Sequence, residues 1–312
     1  MGTAGVGFVG AARAAASPSD TAAAPPATTA APPGTLTLYL RGIFGIGGQQ
    51  VTISHRVVRV EGTESPFVPG QWVRMFVYLR GRLVHTYGIP IARAGKGRTG
   101  KVYYAIRSPD AGHLVVVVRH DASSALGAFS GRHALTVLDD QLGFGGGGPF
   151  VRLIQRRLAE RHLYLPQTGV FDEGTGLALD AYHRLMGWGT SQSLDAGTVT
   201  ALLNGAGRFP VRYPGDGRHA EANLSKQLLA LVDRGHVVWI FPISSSKAST
   251  PTILGRFNVY LKTPRYLPDG MYYSSFFSGG YAVHGYDPAP DFPDSHGPCG
   301  FRSPTPSRPI TG

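Results

Sequence analysis

Apolar residues that alternate with polar ones leave a chain little freedom, because only an extended strand sends every second side chain to one face. Residues 35–138 repeat that alternation. Thr35-Leu36-Thr37-Leu38-Tyr39-Leu40, Val57-Val58-Arg59-Val60, the run from Trp72 to Tyr78, Val102 to Ile106 and Leu114 to Val118 each read as a strand. Pro69-Gly70, Arg80-Gly81 and Pro109-Asp110 read as the turns between them. About seven short strands over roughly a hundred residues predict an antiparallel β-sandwich of immunoglobulin-like type over 35–140. The period changes after the glycine run Gly143 to Gly148. Val151, Ile154 and Leu158 form one apolar stripe of a helix ending near His162. A second helix is expected from Thr175 to Met186, weakened by Gly174 and Gly176, and a third behind the cap Asp195. Strands return over 219–223, 228–232, 237–243, 257–260 and 281–284. The predicted fold class is therefore multidomain and mainly β: a sandwich, a small three-helix bundle over 146–205, and an all-β unit over 210–312.

Chemistry concentrates at the end of the last unit. Cys299 is the only cysteine in 312 residues, which excludes an intramolecular disulfide framework and leaves the thiol available for reaction. His284-Gly285 precedes it, and Ser295-His296-Gly297 stands immediately before Pro298-Cys299. An imidazole can take a thiol proton, and backbone N–H groups of a Gly-rich turn can reach a developing oxyanion. The plainer alternative is a buried thiol acting as a small apolar side chain.

The segment Tyr281-Ala282-Val283-His284-Gly285, the Pro-containing stretch 286–294 and Ser295-His296-Gly297-Pro298-Cys299 resemble the catalytic domain of the L,D-transpeptidases, which cross-link bacterial peptidoglycan. Upstream, Ser244-Ser245-Ser246-Lys247 and Ser249-Thr250-Pro251 through Gly255-Arg256-Phe257 are similar to that family's Ser/Thr-Gly and Thr-Pro-x-Gly-x-Phe stretch. The resemblance spans about residues 210–299. It implies Cys299 as nucleophile, His284 as base and His296 as a catalytic partner, with Ser295, Gly297 and Gly285 shaping substrate binding and the oxyanion hole. It calls for no cofactor and no metal.

Pro298 departs from the family pattern. It has no N–H and fixes its own φ, and the loss of one oxyanion donor costs ~10²–10³ in turnover, so impaired activity is expected. Read one base earlier, a back-translation of Cys299 to Pro306 can spell Leu/Val-Arg-Val/Ile-Pro-Ile/Val-Pro-Asp-Ala, the kind of sequence the family carries after its cysteine. The unit is accordingly expected to be frame-shifted and incomplete at its C terminus.

Ile154-Gln155-Arg156-Arg157-Leu158, Gly169-Val170-Phe171-Asp172-Glu173-Gly174-Thr175 and Leu202-Leu203 resemble the peptidoglycan-binding type 1 domain. Residues 1–16 look like the end of a secretory signal, and 17–34, rich in Ala, Pro and Thr, like an extended tether. Both imply an extracytoplasmic, wall-associated protein, expected to be a monomer. The net charge of +11, from 30 basic and 19 acidic residues, suits an anionic polymer. The basic residues are spread out and carry no nucleic-acid-binding signature, so peptidoglycan stem peptides and glycan are the expected partners, without nucleic acid or a membrane span. Two other functions compete. One is a non-catalytic wall-binding protein with a degenerate terminal domain. The other is a zinc peptidase using His284, His296 and Cys299, which lacks the usual His-Glu-x-x-His pairing.

Overall fold

The computed structural model describes residues 31–285 and 299–301. The expected signal-like segment, most of the tether, and Ser295, His296, Gly297 and Pro298 lie outside the described residues, as does the stretch after Phe301. The described residues are mainly β with three short helices, as the patterning predicts.

Ten strands build the first unit: β1 (Thr35–Arg41), β2 (Phe44–Ile46), β3 (Gln49–Ile53), β4 (Val58–Ser65), β5 (Trp72–Leu79), β6 (Arg82–Pro90), β7 (Ala92–Arg93), β8 (Gly100–Ile106), β9 (Gly112–His120) and β10 (Phe129–Leu138). They form a sheet of order β1-β4-β8-β7 and a second of order β2-β3-β10-β9-β5-β6. The inward residues of the alternating runs, among them Val58, Val60, Val73, Met75, Val116 and Val118, share one buried core. One buried carboxylate interrupts it. Glu64 has its pKa raised, chiefly by desolvation, while His120 pulls the other way.

Three helices follow: α1 (Pro149–Ala159), α2 (Glu173–Met186) and α3 (Ala196–Leu203). Each start has a local cause. Pro149 occupies the first turn of α1, where its missing N–H costs nothing. The side chains of Asp172 and Asp195 accept the backbone N–H of Thr175 and Thr198, capping α2 and α3. Gly187, at φ 75°, closes α2 in the left-handed conformation. Gly176 has a packing reason to be glycine: a Cβ there would come within 2.6 Å of the Gln192 side-chain oxygen.

The third unit is one sheet made of β11 (Arg218–Asn223), β12 (Leu228–Asp233), β13 (His236–Ser244), β14 (Leu261–Tyr266), β15 (Tyr272–Ser278), β16 (Tyr281–Gly285) and β17 (Cys299–Phe301), in the order β11-β12-β13-β17-β16-β15-β14. The strand expected over 257–260 is absent; the pairing segment begins at Leu261 and runs against β15.

The helices act as a wedge between the sheets. Their core is continuous with Val51, Ile53 and Leu138 of the sandwich and with Leu228, Ala230, Val232 and Ile240 of the last sheet. On the sandwich side, Arg156 donates to the Gly45 carbonyl and Arg56 to Asn204. On the other side, Leu163 bridges Ile240 in parallel fashion, and Lys226 donates to the Leu185 carbonyl. The most buried link is an ion pair. Arg184 and Asp180 lie 2.8 Å apart with side chains 4% and 6% exposed, and the same guanidinium donates to the carbonyls of Ile243 and Gln227.

Candidate active site

The centre of the third sheet brings the two ends of the candidate site onto neighbouring strands. β16 runs parallel to β17 with Val283 opposite Cys299, His284 opposite Gly300 and Gly285 opposite Phe301. On its other side β17 pairs with β13, Ser244 facing Gly300. Cys299 and His284, 15 residues apart in sequence, therefore stand one register step apart on adjacent strands. Partners in a parallel ladder share a face, so the residue directly across from His284 is Gly300. A thiol–imidazole contact requires the chain to leave regular strand geometry at Cys299, the first residue of β17.

His284 is buried, at 4% exposure. Its Nδ1 lies 3.0 Å from the Gly285 carbonyl oxygen. A carbonyl can only accept, so Nδ1 carries the proton and Nε2 is the basic nitrogen of the ring. Desolvation lowers the ring's pKa; the Gly285 carbonyl and the charge of Asp269 oppose that shift without reversing it. The result is a neutral imidazole at neutral pH, with its tautomer fixed by its own strand.

Gly285 owes its identity to packing. An added Cβ would lie 2.0 Å from Cε2 of Tyr272, whose ring lies against the glycine backbone, and Tyr272 faces Gly285 in the β15–β16 ladder. Gly285→Ala is expected to displace the Tyr272 ring and with it the carbonyl that holds His284. The check is the His284 imidazole resonance and the unfolding midpoint, with destabilisation of about 1–3 kcal/mol; an unchanged resonance would refute the link.

Two further groups of residues lie beside the site, the first not singled out by sequence reasoning and the second named only as a motif stretch. Tyr272 and Ser274 are buried on β15 next to β16. The buried Ser244 ends β13 opposite Gly300, and the buried Ser245 and Ser246 follow it. Gln227 ties that run down: its side-chain oxygen accepts the Ser245 N–H at 2.7 Å, and its amide donates to Ser245 Oγ at 2.8 Å. Thr252 bonds Ser246 Oγ at 2.8 Å. The motif around Ser244 to Thr250 carried a signal for this region, and Gly285 was the only sequence clue to Tyr272. Of the expected site residues, His284 and Gly285 and the backbone of Cys299 are described; Ser295, His296 and Gly297 lie outside the described residues. Among the described residues no group of three or more His, Cys, Asp or Glu is placed to hold a metal, and no helix is long and apolar enough to cross a membrane.

No curated protein matches the chain. Among solved structures, it is similar to an L,D-transpeptidase (residues 123–326) from Xylanimonas cellulosilytica, at 29% identity over 51% of this chain and 85% of that one, TM-score 0.46. It is also similar to a fused zinc-dependent amidase/peptidase/peptidoglycan-binding domain-containing protein from Clostridium acetobutylicum, at 21% identity over 51% of this chain and 88% of that one, TM-score 0.23. Residues 217–302, which hold every strand of the third sheet and include both His284 and Cys299, match the YkuD family, the L,D-transpeptidase catalytic domain.

Proposed function

We propose that the chain is a wall-associated, extracytoplasmic L,D-transpeptidase that uses Cys299 to cross-link peptidoglycan stem peptides. The observation that supports this most directly is a buried, neutral imidazole with a defined basic nitrogen, on the strand next to the only cysteine, inside a segment that matches the catalytic family. In this reading Nε2 of His284 takes the thiol proton. The thiolate attacks the carbonyl carbon of the third stem residue, and the tetrahedral intermediate collapses to a thioester. The imidazolium returns its proton to the departing amine of the terminal D-Ala. A side-chain amine of a neighbouring stem then attacks the thioester, forming the cross-link and restoring the thiol. Ser295, His296 and Gly297 would shape the oxyanion turn, the helices over 146–205 would hold the polymer, and the sandwich over 35–140 would act as a spacer.

The test is incubation of the full chain with disaccharide-tetrapeptide, read by mass spectrometry. Release of D-Ala with an acyl adduct on Cys299 supports the proposal; neither product refutes it. The pH dependence follows from the direction of the His284 shift. The base form is already populated below the ordinary imidazole pKa of about 6.5, so the acid limb of kcat/KM is expected below that value, with activity lost only as pH falls further. An acid limb clearly above it would remove His284 as the base.

One observation favours the second reading, a wall-binding protein without catalysis. The ladder sets Gly300, rather than Cys299, across from His284. Under that reading the chain binds purified sacculi and gives no adduct.

A further inference from the structure

A cavity of about 680 Å³ opens where the helices meet the third sheet. Its walls are the turn after α1 at Arg161 and His162, the connection around Arg208 and Phe209, and the β12–β13 hairpin at His236. That volume falls in the range of preformed ligand sites. The cavity is separate from the thiol site. It lies along β13 up to Ile240, whereas β17 joins β13 at Ile243 and Ser244, three and four residues or ~10–13 Å further on.

The walls are held in place before any ligand arrives. The His162 carbonyl accepts from Ile240 N–H at 2.7 Å, and Tyr164 N–H donates back to the Ile240 carbonyl at 3.1 Å. The connection is pinned from behind by Tyr182, whose hydroxyl donates to the Ala206 carbonyl and whose ring would lie 2.8 Å from a Cβ at Gly207. Past the cavity, both oxygens of the buried Glu221 carboxylate accept the backbone N–H of Arg212, and one also takes that of Tyr213.

The charge in the cavity has one sign. Arg161 and Arg208 are permanent cations. The only acid on the walls, Glu160, has one oxygen engaged by Arg156 and the other by Arg157. Arg161 spends one amino group on the Gly205 carbonyl at 2.8 Å, which fixes the guanidinium and leaves further N–H donors. Phe209 and Ile240, both buried, supply an apolar floor. Two arginines and an apolar floor on the walls of one cavity suit a short peptide that carries carboxylates and methyl side chains.

We infer that this seam is a second binding site, for the carboxylate-bearing stem peptides of peptidoglycan, formed only when the helical bundle and the catalytic sheet are docked. The inference rests on the wall-peptide reading given above and extends it to a second site, away from the strand that carries Cys299.

The experiment uses the full chain as Cys299→Ala, so that binding is measured without chemistry. Calorimetric titration with disaccharide-tetrapeptide is compared with titration by the same disaccharide lacking its peptide. Arg208 is exposed, so Arg208→Glu is the variant that least disturbs the fold; Arg161→Glu/Arg208→Glu is the stronger one. Binding is expected to weaken about tenfold or more in Arg208→Glu, to fall with added salt, and to be absent for the disaccharide alone. Equal affinity for the peptide-free disaccharide, affinity unchanged in Arg208→Glu, or no binding of the tetrapeptide would each overturn the seam site. The two proposals fail separately. A Cys299 adduct in the unmodified chain with Arg208-independent binding rejects the seam alone, whereas Arg208-dependent binding with no adduct rejects the transpeptidase reading alone.

Discussion

Cys299→Ala is expected to abolish covalent capture of a tetrapeptide donor, and His284→Gln to lower kcat/KM by about 10²–10⁴. The first effect is absolute because no other thiol exists in the chain to form the thioester. The second is large because an unassisted thiol with a pKa of about 8.5 is only a few per cent thiolate at neutral pH. Glutamine keeps an N–H donor able to meet the Gly285 carbonyl that Nδ1 now faces, so the substitution removes the base while sparing the strand. Thermal unfolding of both variants should match that of the parent within about 0.5 kcal/mol for Cys299→Ala and about 2 kcal/mol for the buried His284→Gln. An adduct that persists in Cys299→Ala, or a His284→Gln variant with undiminished kcat/KM, would remove those residues from the chemistry.

The β character was legible because most inward-facing strand residues obey a period of two. β4, β5, β8 and β9 all carry Val or Ile on their buried faces. β6 escaped notice because it is an exposed edge strand with almost no buried side chain to alternate, and β2 because three residues carry no period. At 257–260 the apolar run pointed to a strand, yet the chain pairs at Leu261–Tyr266, a mostly exposed segment that includes Pro264 and has a register shift against β15. There tertiary pairing overrode local propensity. The helices were easier, because Asp195 caps and the apolar stripe of α1 are local signals. In the site, His284 stood out by its Gly neighbour, but a lone Tyr272 gave no hint that its ring would lie on that glycine. Register between β16 and β17 was beyond reach too, since it depends on a three-residue strand inserted between β13 and β16.

Burial also sets the worth of Asp180 and Arg184, an i,i+4 ion pair on α2. On an exposed face such a pair contributes about 0.3–0.5 kcal/mol. Here both side chains are buried and the guanidinium also serves two carbonyls of the third sheet. Arg184→Ala would leave the Asp180 carboxylate without its cation in a dry site and strip a donor from the Ile243 carbonyl, so a loss of about 3–5 kcal/mol is expected. That is a large share of a stability of about 5–15 kcal/mol. Removing both charges in Asp180→Leu/Arg184→Met should cost much less, because no ion is stranded. Urea denaturation of the parent, Asp180→Leu, Arg184→Met and the double variant closes the cycle, and a loss below 1 kcal/mol in Arg184→Ala would show that the pair does not hold the bundle. The consequence reaches the reacting end of the chain, because Ile243 faces Phe301 and Ser244 faces Gly300 on the strand that begins with Cys299. Alkylation of Cys299 by iodoacetamide should therefore change in Arg184→Ala at urea concentrations where the chain is still folded, while the double variant stays near the parent rate.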